Sequence, residues 1–462
     1  MSDERATTSP SVRPGGPRGL RGQMAFMAFG RDPLGFVERL ARDFPGGAAR
    51  LPMPGTALVY LTEPEAIGAV LLDRERVFIK DWTTRSLGPV LGNGLFTSEG
   101  DFWRRQRGLV APALHRKQIG AYVEIAARRA AAYVASLRDG EVRDVKPDMT
   151  RLTMEVVAEA LFGADLGDAA TRVARALEQA LGAFESLIYT WRRFVPAAWD
   201  QPVRRRLRDA SAALDAVVVE IFRKKREAGA GGDHASPDLL SRLLAARDEG
   251  GAGMTDQQVR DEVVTMLLAG HETTAMALSF ALWFLATAPG AAASIAAEAA
   301  GGGGPIAETE DVARLVTAAA AFRETLRLRP PIWLFGREAT RDTVVGRFRI
   351  ERGEQVLVTP WLMHHDARWF PEPGAFRPER WTDAFEEALP RHVYLPFGGG
   401  LRTCAGLHFA LMEGAVVLAT ICRAMTVERA DDGDLELSPA ITLRPRAGVR
   451  LRFRARSAPS GQ

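Results

Sequence analysis

Phe397-Gly398-Gly399-Gly400-Leu401-Arg402-Thr403-Cys404-Ala405-Gly406 holds a single cysteine in a glycine-rich loop, two residues from an arginine and directly ahead of an apolar run. The glycines let the backbone approach a ligand closely and adopt positive φ where needed. The run from Ala405 to about Met425 has helical periodicity, which places Cys404 at a helix N-terminus. Free amide groups and the positive end of the helix dipole favour an anionic sulfur there. Such a thiolate suits the iron of a large flat cofactor such as heme. The same residues also fit a packed cysteine beside a loop that turns or binds phosphate.

The chain has 462 residues, 47% apolar and 25% charged, which supports a substantial core and excludes global disorder. Its formal net charge of +3 gives little reason to expect a nucleic-acid partner. Arg104, Arg105, Arg107, Arg116 and Lys117 do cluster, as a solvated face or as a docking patch for an acidic partner. With only two cysteines, Cys404 and Cys422, no disulfide framework is expected and the chain reads as cytoplasmic. Cys422 reads as core packing. The polar start Met1-Ser2-Asp3-Glu4-Arg5 lacks the apolar segment of a signal peptide. The apolar stretch Ala275 to Ala288 is shorter than the ~20 residues a membrane span takes, so no membrane anchor is expected.

Residues 1–20, rich in Ser, Pro, Gly and Arg, are expected to form a disordered leader, and 457–462 a flexible tail. A single domain is expected over 21–456. Met53-Pro54-Gly55 reads as a turn before a strand from Ala57 to Leu61, and residues from about Asp101 to Arg247 as mostly amphipathic helix, with breaks near Asp139-Gly140 and at Pro196. Gln355 to Val358 and Val449 to Phe453 read as strands. The predicted fold is mainly α with minor β sheets. One helix dominates the pattern. It opens with Thr255-Asp256-Gln257-Gln258, which has the form of a capping box, and stops at Pro289-Gly290 after ~50 Å.

Mid-way along that helix lies Ala269-Gly270-His271-Glu272-Thr273-Thr274. Glycine inside a helix costs ~1 kcal/mol against alanine and asks for a reason, such as room for a ligand. Thr273 can bond back to the carbonyl of Ala269, which bends the helix and opens a groove. A hydroxyl and a carboxylate beside the groove can relay protons. A buried helix with a few polar residues is the alternative. Elsewhere, Glu324 and Arg327 share a helix face at i and i+3, a spacing common on any surface.

Together these motifs resemble the cytochrome P-450 family of heme-thiolate monooxygenases. The first stretch has the form Phe-x-x-Gly-x-Arg-x-Cys-x-Gly of that family's heme-ligand loop. Ala-Gly-x-Glu-Thr-Thr is similar to its oxygen-binding helix. Glu324-Thr325-Leu326-Arg327 and Phe376-Arg377-Pro378-Glu379-Arg380-Trp381 resemble its core-locking pair and meander, with Arg380 as third partner; Trp381 stands where phenylalanine is more usual. Trp103-Arg104-Arg105-Gln106-Arg107 and Arg337, after Pro330-Pro331, resemble its propionate anchors.

The resemblance implies the cytochrome P-450 fold and heme b (iron protoporphyrin IX). It implies Cys404 as metal ligand, with Trp103, Arg107, Arg337, Arg402 and Phe397 as cofactor contacts, and Thr273 assisted by Glu272 in catalysis. It implies insertion of one oxygen atom from O2 into an organic substrate. No flavin or iron–sulfur segment follows the loop, so a ferredoxin and a ferredoxin reductase are expected as electron donors. Segments expected to line the pocket offer Trp82, Leu87, Phe184, Leu187, Ile188, Trp191, Ile332, Leu334 and Phe335, which suits an apolar small molecule of terpene, fatty-acid or polyketide-like type. A peroxide-using or isomerising enzyme and a non-catalytic heme sensor are the alternatives.

Overall fold

The computed structural model describes residues 11–17, 25, 28–115, 119–163, 168–188, 201–229, 238–302, 304 and 306–456. They cluster into two compact units, each assembled from separate stretches. The first unit takes in residues up to Arg85, Ile332–Gly374 and Glu386–Cys404. The second holds Ser86–Pro331, Ala375–Phe385 and Ala405 onward.

The first unit is built on a five-stranded sheet of β1 (Ala48–Met53), β2 (Thr56–Leu61), β3 (Phe78–Lys80), β5 (Phe335–Ala339) and β8 (Gln355–Val358) in the order β1-β2-β8-β5-β3. Gly55, at φ +77°, turns β1 into β2. β2 and β8, separated by almost 300 residues, run parallel with Leu58 opposite Gln355, while the other pairs are antiparallel. β6 (Thr343–Val345) and β7 (Phe348–Ile350) form a separate hairpin. Of the expected leader, residues 11–17 are described, and they are bonded to the sheets: Val12 exchanges backbone hydrogen bonds with Arg347 and Arg349, and Gly15 accepts from Arg50. The rest of the leader and the tail 457–462 lie outside the described residues.

The second unit is mainly helical. Its long helix runs Asp256–Thr287 and opens with the expected capping box: Thr255 Oγ1 accepts from the amide of Gln258, whose side chain accepts from the amide of Thr255. Pro289, which has no N–H to continue a helix, becomes the first residue of the next one, Pro289–Gly301. The helices Val145–Phe162, Val316–Leu328 and Leu407–Ala424 pack against the long helix. Two small sheets complete the unit: β4 (Val142–Asp144), β9 (Met425–Arg429) and β12 (Arg450–Ala455) in the order β4-β12-β9, and a hairpin of β10 (Leu437–Pro439) and β11 (Leu443–Pro445). Strand β4 directly follows the break expected near Asp139-Gly140; its partner β12 lies about 300 residues further along the chain. Pro196, the other expected break, lies outside the described residues.

The long helix and Leu407–Ala424 are long and apolar enough to cross a membrane, yet 67% and 61% of their most apolar stretches are buried in protein, as core helices are.

Candidate functional site

The cysteine loop is shaped by backbone contacts. The amide of Cys404 donates to the carbonyl of Phe397 at 3.0 Å, closing the loop on itself. Gly398 and Gly400 take φ of +68° and +65°. A Cβ on Gly400 would lie 2.1 Å from the carbonyl oxygen of Leu71, on the helix Pro64–Leu72, so glycine is required there for close approach as well as conformation. Arg402 ends the short 3-10 turn Gly400–Arg402, and Cys404 follows it, exposed and not in a disulfide. Cys422 is the opposite case. It is completely buried in the helix Leu407–Ala424, and burial pushes its thiol up to about 12. Of the two thiols, only Cys404 is placed for ligation, and a closed glycine loop around an exposed sulfur fits a heme-thiolate ligand.

The candidate catalytic residues share one turn of the long helix. Thr273 Oγ1 donates to the carbonyl of Ala269 at 2.6 Å, as the sequence predicts. From the neighbouring helix, Thr153 Oγ1 donates to the carbonyl of His271 at 2.8 Å. Hydroxyls therefore engage the helix carbonyls on both sides of Gly270, a recognised way to loosen a helical turn. Gly270 itself has a packing reason: a Cβ there would lie 2.9 Å from Val157 Cγ2, so the glycine admits the helix Val145–Phe162 rather than opening room for a ligand on that face. Ala269, one residue away, is exposed although most of the helix is buried. His271 is a core residue whose ring Nδ1 lies 2.7 Å from the carbonyl of Leu267, and burial lowers its basicity.

Glu272 is tied down. Its Oε1 accepts from Arg444 at 2.6 Å and from the hydroxyl of Thr442 at 2.9 Å, both at β11. Arg444 also pairs with Glu185, on the helix Asp168–Ile188, at 2.9 Å. Burial raises the carboxyl of Glu185, and Arg444 opposes the shift. One guanidinium thus joins three elements beside Thr273, a role that sequence reasoning missed because an arginine in a short strand carries no signal. Glu413 was missed too. It is fully buried in Leu407–Ala424, and burial holds its carboxyl well above the usual range, while the hydroxyl of Thr274 acts the other way.

The remaining candidates stand on regular elements. Trp103, buried, and Arg107 lie one turn apart on the helix Gly100–Val110, and Arg337 lies on β5. Glu324 and Arg327 are completely buried and doubly bonded, with Nε–Oε2 at 2.9 Å and NH2–Oε1 at 2.8 Å. Arg380 adds a bond to Glu324 at 3.0 Å, and the indole of Trp381 donates to it at 2.9 Å. Among the expected pocket residues, Leu87 and Phe184 are 2% and 1% exposed and belong to the packed core. Trp82, Ile332, Leu334 and Phe335 are half-buried; Trp191 and the side chains of Leu187 and Ile188 lie outside the described residues.

The sequence profile described as Cytochrome P450 matches residues 14–450. The chain is 37% identical to a cyclooctatin synthase of Streptomyces melanosporofaciens, covering 89% of this chain and 88% of that protein. It is 35% identical to a cyclooctat-9-en-7-ol 5-monooxygenase of the same organism, covering 86% and 85%. It is 32% identical to a putative cytochrome P450 132 of Mycobacterium bovis, covering 91% and 92%. The crystal structure of the cytochrome P450DA heme domain superposes with a TM-score of 0.85 at 25% identity, over 97% of this chain and 99% of that one.

Proposed function

The chain belongs to the cytochrome P450 family and is a heme-dependent monooxygenase, and on that premise we propose that it hydroxylates or otherwise oxygenates a terpene-like apolar substrate, using electrons from a separate ferredoxin and ferredoxin reductase in the cytoplasm. The observation that carries the reading is the exposed Cys404 held in a closed glycine loop; the Thr273–Ala269 bond in the long helix supports it separately. The substrate class rests on the two relatives named for cyclooctatin chemistry, one of them a monooxygenase acting at position 5 of an unsaturated alcohol.

The bound heme supplies the iron chemistry by which two electrons and two protons turn O2 into one inserted oxygen atom and one water. Cys404 would serve as its thiolate ligand, and Phe397 would contribute an apolar contact. Arg402, Arg337, Arg107 and Trp103 supply the N–H donors that two carboxylates call for.

Thr273 handles the proton. Its hydroxyl donates to the carbonyl of Ala269 and keeps its lone pairs available to accept, so one rotation of the O–H redirects its proton from that carbonyl to another acceptor. Glu272 assists. Its Oε1 accepts from Arg444 and from the hydroxyl of Thr442, which hold the carboxyl next to Thr273, and on leaving Arg444 it can pass a proton toward that hydroxyl. Reconstitution with a ferredoxin, its reductase and NADPH tests the proposal, with a terpene alcohol panel screened by the Soret shift. Substrate-dependent oxygenated product is the expected result. Product formation from peroxide alone, with none from the redox chain, would overturn the electron source.

A further inference from the structure

The segment Ser86–Thr97 precedes the helix that carries Trp103 and Arg107 and includes part of the expected pocket lining. Leu87, Val90 and Leu91 anchor it in the core against Val259, Val263, Val264 and Leu267 of the long helix. Those contacts fix its near end. In its far end, Gly92 to Thr97, Leu95 and Phe96 pack partly buried against the same core, and the glycine-rich backbone around them is held by hydrogen bonds. Two buried carboxylates of the long helix hold it. Asp261 Oδ2 accepts from the amide of Asn93 at 2.8 Å, and its other oxygen accepts from Gln257 and Arg260, each at 2.9 Å. Glu262 Oε2 accepts from the amide of Leu95 at 3.0 Å, and Oε1 from the side chain of Gln106 at 3.2 Å. Gln106 is fully buried and sits beside Arg107.

The loop is cut to fit this arrangement. A Cβ on Gly92 would lie 2.1 Å from Asp261 Oδ1, and one on Gly94 would lie 2.5 Å from Thr265 Oγ1 and 2.7 Å from the carbonyl oxygen of Asp261. Both glycines allow the backbone to lie directly on the helix. The carboxylates reach backbone amides, so beyond the two glycines these bonds do not depend on which side chains the loop carries.

We propose that Asp261 and Glu262 are positioning residues for substrate recognition, with Glu262 binding the pocket-lining loop at Leu95 and the helix of the propionate anchors at Gln106 in a single unit. This rests on the reading of Trp82–Leu95 as pocket lining. The carboxylates touch neither substrate nor heme. They decide where the loop stands, and so which apolar shapes the pocket accepts.

The test uses the heme-loaded enzyme and two probes read by the Soret shift: 4-phenylimidazole, whose phenyl group reports the pocket, and imidazole, which reports the iron alone. Glu262→Ala is expected to weaken 4-phenylimidazole by about tenfold, the equivalent of one ~1.4 kcal/mol contact, and to leave imidazole unchanged. Gly94→Ala displaces the same loop without touching either carboxylate and is expected to do the same. Glu262→Gln keeps an acceptor for Leu95, and Gln106 can turn its amide to match, so it is expected to restore wild-type affinity. An unchanged ratio of the two affinities in both Glu262→Ala and Gly94→Ala overturns the proposal. So does an equal loss for both probes, or loss of heme from both variants, since either outcome makes the contact a general structural one. A wild-type protein without a Soret band that responds to imidazole would instead refute the heme-thiolate site.

Discussion

Trp381 donates its indole N–H to Oε2 of Glu324 at 2.9 Å, a bond that phenylalanine at the same place cannot make. The substitution that departs from the family pattern therefore adds a donor to a completely buried carboxylate already held by Arg327, Arg380 and the amide of Arg377. Hydrogen bonds to charged groups contribute about 1.5–3 kcal/mol. Trp381→Phe is expected to lose that much in urea unfolding of the heme-loaded protein while keeping its heme. Glu324→Ala leaves two buried guanidinium groups without their carboxylate and is expected to cost about 3–5 kcal/mol, giving little folded protein. Equal stability of Trp381→Phe and wild type would show that the indole bond is not retained in solution.

Cys404→Ala is expected to lose the carbon-monoxide band of thiolate-ligated heme, and Cys422→Ala to keep it. The difference follows from burial: one sulfur is exposed, the other sealed in a helix core. A difference spectrum of each reduced variant decides it.

Thr273→Ala is expected to bind heme, carbon monoxide and substrate and to keep consuming NADPH. Product per NADPH should fall and hydrogen peroxide rise if the removed hydroxyl handles the proton as proposed. A proton relay contributes typically ~10²–10⁴-fold, and water replaces part of it. Counting product, NADPH and peroxide together gives the answer, and an unchanged ratio would reduce Thr273 to a helix-shaping residue.

Arg444→Gln removes the charge that holds Glu272 and Glu185. Glu272 is then freed, and two carboxylates lose their shared cation. The expected outcome is less product per NADPH oxidised, since Glu272 loses the bonds that fix its position next to Thr273. A ratio identical to wild type would separate Glu272 from the proton path.

Burial raises the carboxyl of Glu262 from the usual carboxylate range to about 7. A carboxyl raised in the folded state binds its proton more tightly folded than unfolded. Its contribution is therefore greatest below the unfolded value and is lost as pH rises to the folded one, up to about 3 kcal/mol between pH ~4.5 and ~7. Glu262→Gln carries no such titration. Its unfolding midpoint should exceed that of wild type at pH 8 by more than it does at pH 5. Parallel curves for the two proteins would place the titration of Glu262 outside this range.

The one-dimensional pattern determined the elements and the chemistry-bearing loop. Thr255 and Gln258 are three residues apart and cap the long helix by local bonds, and Pro289 ends it by lacking a donor; neither needs a distant partner. Cys404 and its glycines are also local. Tertiary structure decided what depends on residues far apart in the chain. Gly270 reads as room for a ligand until Val157 is seen to fill that space. Leu87 and Phe184 read as pocket lining, yet they are spent on the core, because apolarity does not say which apolar neighbour a side chain will meet. β2 and β8 are each legible as strands, but their parallel pairing is not, since register between distant segments is set by the packing of both faces. The bonds from Arg444 to Glu272 and from Glu262 to Leu95 span well over a hundred residues. A charged side chain announces that it needs a partner, and only the fold names the partner, because the cost of burying a charge is met by whichever group is brought within hydrogen-bond reach.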